Sequence, residues 1–220
     1  MSRKKNFIRI IAIGLLMSIG YSVFGVTASA HEMYYSGSFP EYTPIPLVWN
    51  ERSSGKALLK IDVKLLTTFY AKEYNPAAAS WQNYTNSVKI QFTTFENSTV
   101  SMATATTDYW QSIFHGSHLY RGYCEIFSTD GKQITSAATA KNSSRRIKFA
   151  TAYYTPYTDD FNDNRTNVKK TMVHELGHAL GLGHPDGEYY PTKDASVMRS
   201  DFSNYWTPQA HDKNDLANKY

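Results

Sequence analysis

The segment His174-Glu175-Leu176-Gly177-His178-Ala179-Leu180-Gly181-Leu182-Gly183-His184 carries three imidazoles, one carboxylate and a glycine at spacings that suit a divalent metal ion. His174 and His178 are four residues apart, so on a helix both rings project from one face and reach a single cation. A third ligand four residues further would sit another turn along, too far from the same ion. The chain must turn back instead, and Gly181 can take the positive φ that such a turn commonly requires. His184 then approaches from beyond the turn. Three neutral imidazoles leave the fourth position of a tetrahedral zinc for water, which separates catalytic from structural zinc sites. Bound metal brings the pKa of such a water to about 7. Glu175 follows His174 directly, so its carboxylate is the candidate general base, taking the water's proton during attack on a peptide carbonyl and passing it to the leaving amine. A lone helical histidine is usually an ordinary surface or core residue. Here three His, one Glu and one Gly fall together at the required spacings.

A helix must carry the first two ligands. Val168, Met172, Leu176 and Ala179 recur at spacings of three and four, which predicts a helix from Thr166 to about Leu180 with one buried face. Thr166 or Asn167 is its expected N-cap, and Gly181 and Gly183 its stop. Upstream, alternating or β-branched runs predict strands over Leu58 to Leu66, Val88 to Phe92, Thr99 to Ala105, Tyr123 to Phe127, Ile134 to Ala140 and Ile147 to Tyr154. A Thr129-Asp130-Gly131 turn separates the fourth from the fifth. Phe69 to Trp81 reads as helical, broken or restarted at Asn75-Pro76. Thr207-Pro208 should open a short C-terminal helix through Leu216. Residues 31 to 50 lack periodicity and read as an extended segment lying over the domain.

The first thirty residues have the build of a secretory leader. Arg3, Lys4, Lys5 and Arg9 make a basic start, Ile10 to Val26 is almost wholly apolar, and Ala28-Ser29-Ala30 is a cleavage site of small residues. The competing reading is an uncleaved membrane anchor. With the leader removed, the 23 Lys and Arg residues fall to 19, against 19 Asp and Glu, so the mature chain is formally neutral. A neutral chain lacks the basic excess that marks nucleic-acid binding, and that function class is excluded. No later segment is apolar enough to span a membrane, so no stable membrane association is expected after cleavage. The single cysteine, Cys124, rules out an intramolecular disulfide. An exported chain without disulfides rests on packing and bound metal. The expected organisation is a leader over 1–30, an N-terminal extended segment over 31–55 and a catalytic domain over 56–220, in a monomer.

The long zinc motif, followed fourteen residues after His184 by Met198 in Ser196-Val197-Met198, resembles the metzincin metalloproteases. In that superfamily the methionine of a tight turn packs under the three imidazoles as an apolar floor, not as a ligand. Among metzincins the chain looks most like the matrixins, the matrix metalloprotease group, and their short bacterial relatives. Ser196-Val197-Met198, the ending from Thr207-Pro208 to Asp215-Leu216 with Tyr220, and Trp81 carry that likeness. Ser200 stands where astacins and serralysins usually have tyrosine, and Pro185 where adamalysins have aspartate. The resemblance implies an α+β, zincin-like fold: a twisted, mixed five-stranded sheet with helices, an active-site helix and a small C-terminal subdomain. It implies an extended peptide substrate added to an edge strand, with Tyr205 and Trp206 in the wall of the pocket after the scissile bond or as plain packing residues. His115 and His118 are candidates for a second, structural zinc, and Asp159, Asp160 and Asp163 for calcium. Neither set has the full spacing of a known loop, and solvated turn residues are the stronger reading. Gly122-Tyr123-Cys124-Glu125 lacks the matrixin cysteine-switch pattern, so Cys124 reads as a buried free thiol.

The function expected is therefore a secreted zinc endopeptidase acting on proteins or peptides. Two alternatives stand beside it: a non-catalytic exported zinc-binding protein that keeps the metzincin shell, against which the intact Glu175 argues, and a peptidase acting on cell-wall peptides.

Overall fold

The computed structural model describes residues 34–36, 43–186, 194–200 and 204–220. The expected leader lies outside the described residues. Five long strands form the body of a mixed sheet: β5 (Lys56–Leu65), β6 (Val88–Phe92), β7 (Val100–Thr104), β8 (Gly122–Ser128) and β9 (Arg146–Tyr154). Across the sheet they run β6-β5-β7-β9-β8; the first four are parallel and β8 is antiparallel to β9. Two short strands, β3 (Val48–Trp49) on β9 and β4 (Arg52–Ser53) on β5, bring the total to seven. A separate hairpin pairs β1 (Tyr34–Ser36) with β2 (Thr43–Ile45). With helices packed on this sheet the class is α+β, as expected.

Parallel strands buried on both faces read as near-continuous apolar runs. β5, flanked by β6 and β7, does so: Ala57, Leu58, Leu59 and Ile61 are all buried. Against the sheet lies α4 (Arg165–Ala179), which packs on β8 and β9 with α1 (Tyr74–Tyr84) beside it. Trp81 of α1 is fully buried and its indole N–H donates to the carbonyl of Val173 in α4, at 2.8 Å. The predicted break near Pro76 resolves into a 3-10 turn over Tyr70–Lys72 and then α1. Pro76 sits in the first turn of α1, where its missing N–H leaves no bond unmade. Among the described residues, no helix is long and apolar enough to cross a membrane.

The structure corrects several boundaries. Ile134 to Ala140, expected as a strand, instead follows a single bridge from Gln133 to Phe127 and runs into helix α3 (Ala137–Lys141). The Ser136 hydroxyl accepts from the backbone N–H of Thr139, whose own side chain accepts from the N–H of Ser136. That capping box and the alanines behind it outweigh the β-branched residues before them. Helix α2 (Thr107–Phe114) was not anticipated; Thr106 caps it and Trp110 buries it. The cap of α4 is Asn164, not Thr166 or Asn167, because the Asn164 side chain accepts from the N–H of Asn167. At the C-terminus α5 spans Ala210–Lys219 and is capped by Gln209, not by Thr207.

Candidate metal centre

Helix α4 presents His174 and His178 one turn apart, and its end is built to bring the third histidine back. Gly181 has φ +83°, its N–H donates to the carbonyl of His178 at 2.8 Å, and the N–H of Leu182 donates to the carbonyl of Gly177 at 3.0 Å. This pair of bonds is the Schellman ending, in which a left-handed glycine closes the helix. A Cβ at Gly181 would also lie 2.6 Å from the carbonyl oxygen of Leu47, so space and backbone conformation both call for glycine. Lys219 Nζ donates to Gly181 O and Leu47 O at 2.9 and 3.0 Å. The Tyr220 hydroxyl donates to Leu180 O and accepts from the N–H of Trp49, each at 3.0 Å. The C-terminal segment thereby clamps the turn against β3.

Beyond that turn the three Nε2 atoms converge. His184 Nε2 lies 3.0 Å from that of His174 and 3.1 Å from that of His178. A tetrahedral zinc with bonds of roughly 2.0–2.1 Å needs nitrogens about 3.3 Å apart, so the donor set fits that ion closely. The far side of each helical ring is held: His174 Nδ1 lies 2.9 Å from Val197 O, and His178 Nδ1 lies 2.8 Å from Leu182 O. A carbonyl only accepts, so Nδ1 carries the hydrogen in both and Nε2 keeps its lone pair for a metal. Burial of the rings, reinforced by the neighbouring histidines, pushes His174 down to about 3 and His178 well below the usual imidazole range. Burial lowers His184 as well, against the opposing pull of Asp186. Protein encloses most of each ring while the coordinating edges stay open, His184 being exposed at residue level. The three are the one group of three or more potential ligands among the described residues whose donor atoms cluster this way.

Beneath them lies the turn Ser196-Val197-Met198. Met198 is 1% exposed and packs on Gly177, where an added Cβ would collide with its sulfur and lie 2.9 Å from the Trp81 ring. Asp212 of α5 is also 1% exposed and holds this turn. It accepts from the Ser196 hydroxyl and, at 3.0 Å, from the N–H of Val197, and at 2.7 Å from the N–H of Gln209. Burial, the largest influence, raises the Asp212 carboxyl above its ordinary range despite those bonds. On the other side Asp186 accepts from the N–H and hydroxyl of Ser200, both at 2.9 Å. The loop after His184 and the loop beneath the rings are thus tied together.

Glu175 is 5% exposed, and its Oε2 has no hydrogen-bond partner among the described residues. Burial pushes it up to about 8. The carboxyl lies against Gly122, the first residue of β8. On its outer side the far half of β8 is bonded by residues 132–134, through Ile134 N to Ile126 O and Ser128 N to Lys132 O. Among the described residues no strand pairs with the outer side of Gly122 to Glu125.

Tyr205 is half-buried and Trp206 exposed, and residues 201–203 before them lie outside the described residues. His118 Nδ1 sits 3.0 Å from both oxygens of Asp160, and the ring stacks on Tyr157. His115 ends α2 in a left-handed conformation, as Asn162 and Asp163 do their own turn. Among the described residues these side chains form no cluster of three ligands. Cys124 is a free thiol, half-buried where the sequence suggested full burial, and desolvation raises its pKa well above the ordinary value, which disfavours the thiolate. Asp212 and Gly122 are the site residues that sequence reasoning missed. A Gln-x-x-Asp spacing at Gln209 marks the first as a capping residue, and a glycine heading a strand marks the second as a point of close approach.

No protein-family model matches the chain, and no curated protein matches it in sequence. Among solved structures, one of myroilysin is similar over 76% of this chain and 96% of that chain, at 15% identity and a TM-score of 0.41. A second structure of myroilysin is similar over 84% and 93%, at 15% identity and a TM-score of 0.43.

Proposed function

We propose that this chain is an exported zinc-dependent endopeptidase of the metzincin type, with matrixins the nearest group. The observation that carries the reading is the convergence of three Nε2 atoms, with Nδ1 of His174 and of His178 held by backbone carbonyls, beside a buried Glu175 carboxyl with an oxygen that has no partner among the described residues. His174, His178 and His184 would hold the metal. When bound, zinc supplies Lewis acidity toward a water and a peptide carbonyl. Glu175 would take a proton from the attacking water and deliver it to the leaving nitrogen; burial raises its pKa, which makes the ionised carboxylate a stronger base for the first transfer. The outer edge of Gly122 to Glu125, which no strand pairs among the described residues, is where an extended peptide would dock as an added strand next to Glu175. Met198 supplies the apolar packing at Gly177 that backs the helix bearing two ligands. Tyr205 and Trp206 would face the residue after the scissile bond. Leader removal after Ala30 would release the protein outside the cell.

The test is to express residues 31–220, measure bound zinc, and follow cleavage of an unbiased peptide library. One equivalent of zinc, cleavage abolished by chelator and restored by zinc, and a Glu175→Gln variant that binds zinc but does not cut are expected. Undiminished cutting by Glu175→Gln would sink the assignment of the base. Failure to bind any transition metal would sink the whole reading.

A further inference from the structure

Glycine weakens a strand, because it gives up backbone entropy and packs no side chain. β8 nevertheless begins Gly122-Tyr123-Cys124-Glu125, with Gly122 in register with the fully buried Tyr154 of β9. Its backbone is not in the left-handed region, unlike that of Gly55, Gly116, Gly131 and Gly181, so conformation does not call for glycine here. Space does. A Cβ at this position would lie 2.6 Å from both Cγ and Cδ of Glu175 and would collide with Oε1. The glutamate cannot simply swing away, since it is 5% exposed and α4 packs directly on β8 and β9.

We infer that Gly122 is a positioning residue for the general base: its bare Cα is the seat on which the Glu175 carboxyl rests. The same residue opens the stretch of β8 whose outer edge has no strand partner among the described residues. One residue thus sets the distance between the docked substrate strand and the group that moves the proton. Any side chain at 122 forces the carboxyl back by roughly 1 Å, a misplacement that costs about 100-fold in rate. The inference rests on Glu175 being the base.

Gly122→Ala made alone and in a Glu175→Ala background tests it, with bound zinc, unfolding midpoint, kcat and KM as readouts. The single variant is expected to keep its zinc and a KM within about twofold of wild type while kcat falls by about 100-fold. Its unfolding midpoint should drop, whereas the same substitution in the Glu175→Ala background should leave the midpoint unchanged or raise it, because the colliding atoms are gone. Should the single variant not fold, a double variant that folds and binds zinc supports the inference; one that also fails overturns it. Equal destabilisation in both backgrounds, or a kcat within about twofold of wild type, overturns it too. Undiminished activity in Glu175→Gln would instead remove the base itself, an outcome separate from loss of the stability coupling.

Discussion

Replacing Asp212 with alanine should both destabilise the protein and weaken its hold on zinc. The carboxylate accepts from Ser196, Val197 and Gln209, and the first two residues are fully buried. Two orphaned buried donors cost about 1–3 kcal/mol each, and losing the reciprocal cap of α5 adds about 0.5–2 kcal/mol. Against this, a carboxylate whose pKa is raised chiefly by burial is itself costly, and its removal returns part of the loss. The net expectation is about 2–4 kcal/mol, read as a shift in denaturant midpoint with the slope unchanged. Val197 also accepts from His174 Nδ1, so the turn that Asp212 pins aims one of the three candidate ligands. Loss of such a supporting contact lowers metal affinity about 10–100-fold, measured by competition with a chromophoric chelator. Asn214→Ala, an exposed change on the same helix, is the control and should stay within about 0.5 kcal/mol of wild type. If Asp212→Ala lost stability but bound zinc as tightly as wild type, the claim that this turn aims His174 would be refuted.

Asp212→Asn should change how stability depends on pH. The folded-state pKa of Asp212 is raised above the unfolded value of 3.8, so its contribution is fully present below 3.8 and is lost as pH rises through the folded pKa. Wild type minus Asp212→Asn stability, from urea titrations across acidic pH, should therefore decline as pH rises; a flat difference would contradict the raised pKa. Gly177→Ala forces a Cβ into Met198 and Trp81 and should cost about 1–3 kcal/mol by thermal denaturation, with Gly177→Ala/Met198→Ala recovering much of it. Tyr220→Phe removes the hydroxyl joining Trp49 N to Leu180 O and should cost about 1–3 kcal/mol, with faster amide exchange at Trp49.

The three histidines that could hold a metal are legible because their constraint is local. Four-residue spacing on a helix and a glycine at its end are written within eleven consecutive residues, and the Gly181 turn forms as that spacing implies. The long strands were legible for a similar reason: Val88 to Phe92 is β-branched and aromatic enough to declare itself, and β6 occupies those residues. Ile134 to Ala140 carries β-branched residues that suggest a strand, but the Ser136–Thr139 cap within it starts a helix. Asp212 and Gly122 were illegible as parts of the site because their partners, Val197 and Glu175, are distant in sequence and meet them only through packing. Nothing in the local pattern around either residue names that partner.

The carbonyls of Val197 and Leu182 that hold the backs of two imidazoles bear on the competition between proton and metal. In most sites, taking up a cation expels protons from its ligands, so affinity falls in acid. Here the rings are already neutral and oriented with the coordinating lone pair exposed, since burial and mutual repulsion disfavour the imidazolium far below neutrality. A cation arriving near pH 7 then draws no proton from these two rings, and mild acidification leaves their nitrogens available. The protein spends its folding energy in advance on keeping a charge away from the place where another is to arrive.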